Sequence, residues 1–300
     1  MKKKTYLFAL MAMVLTLGSC SDNENGIGGE TSKYITVSTS IGNMTRVATD
    51  AKGGQTFEEG DEISVYAWTG DATIAPDASE RVVNNAINKL TNGSWVSTPQ
   101  MLWKNNRDKH YFIGVYPTAA ISDLSAGEYT FDANKQTESD LLVAVNPDGL
   151  SYSADAQQTV PLTFTHVMSK LAVNLTYKNQ WGGIPTVEKV VVGNAAKEAT
   201  INYLTKVVTP STTAKEDFSL PEITENTKYV SVIIPQEDVK QLTIVIGGKN
   251  FVYDNGTPFK LESGKITTVN LEVGRDEIKL GDVKITNWED GSTFSGEALN

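Results

Sequence analysis

Apolar residues along this chain recur at every second position far more than at every third or fourth, and that period restricts the fold most. Between Tyr34 and Ile41, the residues Ile35, Val37, Thr39 and Ile41 fall on one side, the pattern of a strand with one face in a core and the other in water. Phe57-Glu58-Glu59-Gly60-Asp61 announces a second run at 62–68. Similar β-branched and aromatic runs follow at 101–103, 110–116, 128–131, 141–145, 160–164 and 169–177. More follow at 187–192, 200–203, 229–234, 242–246, 250–253 and 267–273, with Gly, Asn, Asp and Pro between the runs. Short strands punctuated in this way predict an all-β sandwich or barrel. Gly247-Gly248, between two of the runs, predicts a tight hairpin turn, and 209–216 reads as a polar loop.

The last apolar segment is out of phase with itself. Ile278 and Leu280 lie on one alternation, Val283 and Ile285 on the other, with Gly281 between them. A glycine at such a break predicts a bulge or a strand that changes partner. A shift in composition at 178–185 (KNQWGGIP) marks the expected domain boundary, giving an N-terminal unit over 34–178 and a second over 179–300. The length agrees with two domains.

Ahead of these units, residues 1–19 carry Lys2, Lys3 and Lys4, then an apolar stretch from Tyr6 to Leu17, then Gly18 and Ser19. That is the build of a secretory signal peptide, and the stretch is too short to span a membrane comfortably. Cys20, the only cysteine, directly follows the small residues, as in a bacterial lipoprotein signal. Its thiol is then the site of lipidation and the leader is removed. The other reading is an ordinary leader with a chance cysteine. With Cys20 lipidated, no disulfide can form and the fold rests on its core alone. The polar, Gly-rich segment from Cys20 to Lys33 reads as a flexible tether.

Losing three lysines with the leader changes the formal charge from −10 to −13, which argues against nucleic acid and against electrostatic adhesion to anionic lipid. No motif of a known catalytic or nucleotide-binding site is present. The histidines, His110 and His166, sit in strand-like runs without a second histidine or carboxylate at ligand spacing, so neither is read as a metal ligand. Asp22-Asn23-Glu24-Asn25-Gly26 lacks the glycine position and the bidentate glutamate of a calcium loop. No enzyme activity, cofactor or metal is expected. Trp181 and Trp288, flanked by polar residues and glycine, are either exposed stacking platforms or ordinary packing residues.

Several stations, in order, resemble the fimbrillin family of Bacteroidales, secreted lipoproteins that include subunits of surface pili. They begin with the leader ending at Cys20, Thr45-Arg46, and Phe57-x-x-Gly60-Asp61-x-Ile63-x-Val65-Tyr66. Trp95, Trp103 and Tyr111-Phe112-x-x-Val115-Tyr116-Pro117 follow. Then come Gln136-x-x-x-Ser139-Asp140-Leu141-Leu142, Phe164-x-His166-x-x-Ser169-Lys170-Leu171, and Ile285-x-x-Trp288. Asp22 and Glu24 just after the cysteine also resemble the export signal of Bacteroidetes surface lipoproteins, or are a plain solvated linker.

The resemblance implies two transthyretin-like β-sandwiches in tandem and a subunit of a cell-surface fimbria at the outer membrane, supporting adhesion. It implies a lipid (diacylglycerol, palmitate) on Cys20, lost if a protease cuts between Arg46 and Val47. Removal of the first strand would open a groove for a strand from the C-terminus of another pilus subunit, and Ile278, Leu280, Val283 and Ile285 mark that donor. Arg46 read by itself is either this cleavage site or a solvated loop arginine. The rival reading is a surface-anchored lipoprotein that binds a glycan or host ligand without polymerising.

Overall fold

The computed structural model describes residues 33–42, 56–153, 158–254 and 256–288. Cys20, the tether up to residue 32, Arg46 and Val47 lie outside them. Nineteen strands and one short 3-10 turn (Asn179–Trp181) carry the described residues, so the chain is all-β, as the alternation predicts.

Seven strands form the first sheet, in the spatial order β1 (Thr36–Ile41), β8 (Thr159–His166), β7 (Leu142–Leu150), β5 (His110–Tyr116), β2 (Glu62–Thr69), β3 (Val83–Thr91) and β4 (Ser94–Thr98). A five-stranded sheet runs β14 (Glu222–Thr224), β15 (Lys228–Ile233), β9 (Ser169–Tyr177), β18 (Lys265–Val273) and β19 (Ile278–Asn287). A four-stranded sheet joins β13 (Lys215–Leu220), β10 (Val187–Ala196), β16 (Gln241–Ile246) and β17 (Lys249–Asp254). The smallest joins β12 (Val207–Pro210), β11 (Glu198–Asn202) and β6 (Gly127–Thr130). β11 thus pairs with β6, far earlier in the chain, and β9 pairs with both β15 and β18.

β2 explains the layering. Its sequence is apolar almost without interruption, and residues 63–68 are all buried, as a strand covered on both faces requires. Ile63, Val65 and Ala67 point into a compact cluster with Val37, Phe112, Leu162 and Phe164. Tyr66 and Trp68 point the other way, into the larger core shared with the remaining sheets. At Gly114 on β5 a Cβ would lie 2.6 Å from Phe164 Cζ, so the glycine makes room for that ring.

The hairpin at Gly247-Gly248 forms as predicted, both glycines having positive φ (59° and 72°). Two stretches differ from the sequence reading. β3 and β4 form where no strand is expected, and at 101–103, expected as a strand, only Leu102 makes an isolated bridge, to Tyr34. β3 escapes the alternation because Asn84 and Asn85 sit in a register shift between Ala86 and Val83, with Asn85 at φ 57°. Within 209–216, β12 and β13 reach in from both sides. Only 211–214 is loop, tied by Ser211 Oγ accepting from the Ala214 N–H at 3.0 Å. β12 is an edge strand, which needs few apolar residues.

Gly114→Ala is expected to destabilise the protein by about 1–3 kcal/mol through overpacking against Phe164, read as a lowered midpoint in denaturant unfolding.

Candidate functional site

β1 is an edge strand seated by one ladder. It runs parallel to β8, from Thr36 opposite Thr159 to Ile41 opposite Phe164. β8 meets its other neighbour, β7, only at 164–166, so, among the described residues, 159–163 find ladder partners in β1 alone. Outward-facing hydroxyls reinforce the seat, Thr36 with Thr159 at 3.3 Å and Ser40 with Thr163 at 3.1 Å.

The two ends of β1 are held unequally. At its start, the Ile35 N–H donates to Met101 O (2.9 Å) and the Trp103 N–H to Lys33 O (3.2 Å), stitching the chain to the segment after β4. Ile35 and Val37 are buried at 2% and 6% exposure. Farther on, Thr39 and Ile41 are only half-buried. There the contact across to β4 includes one bond, from Trp95 Nε1 to Thr39 Oγ1 (3.0 Å). An open cleft of about 650 Å³ runs along the whole of β1, from Thr36 to Ile41, and is lined also by Phe57, Leu90 and Trp95. The four residues read as one face of a strand are thus one face, two of them deep and two shallow.

β19 is the second unusual edge. It pairs antiparallel with β18 and closes its sheet without a further partner among the described residues. Val269 faces Val283 and Leu271 faces Leu280, so two residues of β18 span three of β19. The extra residue is the predicted bulge, at Gly281-Asp282. A Cβ on Gly281 would lie 3.2 Å from Asn270 O, and Asn270 Nδ2 donates to Asp282 Oδ1 at 2.6 Å. The bulge corrects the phase. Ile278, Leu280, Val283 and Ile285 now oppose Val273, Leu271, Val269 and Thr267, alternate residues on one face of β18. That face of β18 is buried, but Leu280, Val283 and Ile285 are 36%, 39% and 38% exposed. An apolar stripe on an unpaired edge is the kind of surface that attracts another strand.

The two tryptophans singled out in the sequence bracket β19. Trp181 is half-buried. It donates from Nε1 to Val273 O (3.0 Å), lies 5.6 Å from the Arg275 guanidinium and packs on Phe251. Trp288 is buried, stacked on His166 with centroids 4.1 Å apart and planes 6° from parallel, so it offers no open platform to a sugar ring. His166 Nδ1 is 2.8 Å from Asp140 Oδ1, and the Lys170 ammonium lies 4.2 Å from the indole centroid. Burial lowers the Lys170 pKa from its ordinary value, with Asp140 opposing.

Sequence reasoning found the partners in this cluster only as separate stations. Their convergence depends on β8, β9 and β19 meeting. His110 is a buried core histidine whose Nε2 accepts from the Lys104 N–H (3.0 Å). Among the described residues no group of three or more His, Cys, Asp or Glu side chains is placed to hold a metal ion.

A family model described as Fimbrillin-like matches residues 45–288. Over 315 residues, covering 97% of each chain, the sequence is 24% identical to a protein named as a fimbrium subunit, Fim1C, of Bacteroides uniformis. In fold it is similar to a protein of Bacteroides ovatus named for cell adhesion, with a TM-score of 0.62 at 18% identity, covering 85% of this chain and 98% of that one. A second such protein, from Bacteroides uniformis, gives 0.59 at 19% identity, with 85% and 99% covered.

The unequal seating of β1 predicts unequal mutational costs. Ile35→Ala is expected to cost about 2–4 kcal/mol in unfolding free energy, and Ile41→Ala about half of that or less, both measured by denaturant titration.

Proposed function

Because this chain belongs to the fimbrillin-like family, we propose that it is a structural subunit of a cell-surface pilus whose first strand is exchanged for a strand of a neighbouring subunit. The observation that carries this reading is the seat of β1, the only ladder partner of residues 159–163 among the described residues. Without β1, that part of β8 is left with no backbone partner on either edge, and the pockets of Ile35 and Val37 open. Unpaired backbone groups and vacated apolar pockets together favour addition of a strand from another chain.

β19 has the properties of the incoming strand. It is an edge, it is ten residues long, and its stripe of Leu280, Val283 and Ile285 is more exposed than such side chains normally are. Complete burial stabilises by about 1.5–3 kcal/mol for each such side chain, and part of that remains to be gained here.

Release of β1 is assigned to cleavage between Arg46 and Val47, four residues beyond the end of the described first segment. The other mature-chain arginines make poorer substrates. Arg81 is 8% exposed and donates to the carbonyls of Pro76, Ile121 and Ser122 and to Asn84 Oδ1. Arg107 sits in a turn capped by Asn105 Oδ1. Arg275 lies in the β18–β19 turn closed by the Gly274 N–H to Glu277 O bond. In this reading the subunit reaches the outer membrane as a lipoprotein acylated on Cys20, and the lipid leaves with residues 20–46. Its partners are other pilus subunits, and its cellular output is adhesion.

Arg46→Ala is expected to leave surface protein with Cys20 as its N-terminus and to abolish fibre formation, whereas the unsubstituted chain in fibres begins at Val47. N-terminal sequencing of both fractions decides this, and fibres built from chains beginning at Cys20 would sink the scheme. Val283→Asp with Ile285→Asp is expected to reduce polymerisation at least about tenfold, the effect of 1.4 kcal/mol, while the monomer stays folded, as read by sedimentation and circular dichroism.

A further inference from the structure

β19 is the most weakly covered long strand of the molecule, with seven of its ten residues in succession exposed. Among the described residues its backbone pairs with β18 alone. What side-chain burial it has is concentrated at its two ends. At the turn end, Ile278 packs against the core. Just past the far end Trp288 is 7% exposed and its backbone N–H donates to Gly264 O at 3.0 Å.

Three groups from outside β19 converge on that indole. His166 covers it in parallel at 4.1 Å, Asp140 holds the imidazole, and Lys170 brings its ammonium to 4.2 Å. All three come from the end of β8, the start of β9 and the segment just before β7. The contact therefore ties the end of the edge strand to the body of the protein. One contact sets it apart from the other buried tryptophans. Among the described residues Trp288 Nε1 is buried without a hydrogen-bond partner, whereas buried tryptophans ordinarily find one, as Trp68 does with Asp71 O at 2.8 Å. An unmade bond of this kind exists only while the indole is docked, and water satisfies the N–H once it leaves. Stacking and cation–π attraction hold the ring in, and the unpaired donor favours letting it out.

We propose that Trp288 is a latch that keeps β19 on its own sheet, and that withdrawal of its indole from His166 and Lys170 is the step that frees the strand. The purpose of the latch rests on the pilus reading above, but its existence does not. With the latch closed, the backbone groups of β19 that face β18 stay paired within the subunit and the strand is not free to leave its sheet. A neighbour with an open groove competes for β19 by capturing it in the moments when the latch is open. Trp288, His166 and Lys170 are positioning residues in this scheme, setting how often the strand is available and not what it binds.

Hydrogen–deuterium exchange on the purified monomer tests this directly. Trp288→Ala is expected to speed exchange of residues 278–287 by about tenfold or more. Lys170→Met, which keeps the aliphatic stem and removes the charge, is expected to do so by about threefold, in line with a cation–π contact of modest strength. Exchange in 169–177 and 228–233 should stay unchanged in both. Unchanged exchange in 278–287, or equal acceleration in 169–177, would overturn the latch, the second outcome marking Trp288 as plain packing. If Trp288→Ala does not fold, Lys170→Met decides by the same criteria. Polymerisation is followed separately. Faster local exchange with faster assembly supports both latch and pilus reading, and faster exchange in a chain that never assembles keeps the latch and removes the pilus reading.

Discussion

Half of β8 depends on a single neighbour, and much of the first sheet's organisation follows from that dependence. Among the described residues, 159–163 have β1 as their only ladder partner, and the compact core beneath them includes Val37 of that strand and Ile35 just before it. An aromatic cluster braces the region from within. Phe57 packs edge-on against Trp95, Tyr116 and Phe164, with centroids 5.1–5.3 Å apart, and Gly114 leaves the space that Phe164 fills. Edge-to-face packing of this kind contributes beyond simple burial. The brace comes from segments other than β1, so it supports the seat whether or not β1 occupies it.

Polar side-chain contacts tie the loops to the sheets, and they hold geometry more strictly than apolar ones because a broken bond leaves an unsatisfied group. Gln136 Oε1 accepts from the Val232 N–H at 2.6 Å, joining the segment before β7 to β15. Asp140, four residues beyond Gln136, meets His166, and His166 stacks on Trp288. Arg81 performs the same service on the opposite side. It binds the carbonyls of Ile121 and Ser122 at 2.8 and 2.5 Å, which anchors the loop after β5 over Tyr66.

Fold class was legible in the alternation, because a strand half in water writes its two faces into its sequence. β5 and β9 match their expected bounds, and the Gly247-Gly248 turn declared itself through the positive φ that only glycine adopts freely. The bulge in β19 was legible too, since Gly281 stands where the phase changes. β3 was hidden because Asn84, Asn85 and Asn88 break the pattern, although Asn88 is buried and bonded to Ala86 O at 3.0 Å. β12 and β13 were hidden because edge strands can be polar. The cluster at Trp288 could not be read at all as a cluster. Its members are separated by up to 148 positions in sequence, and only the pairing of β9 with β18 and β18 with β19 brings them together.

The bulge at Gly281-Asp282 has a consequence for the strand once it is no longer on β18. On its own sheet the extra residue lines up Ile278, Leu280, Val283 and Ile285 on one side. A straightened β19 would put the first pair on one side and the second pair on the other, because strand side chains alternate strictly. A receptor with a regular groove can therefore accept one pair or the other, and one that takes all four must itself accommodate a kink. The reading frame in which the strand can be received is set by one glycine, much as a key's depth is set by the position of its shoulder.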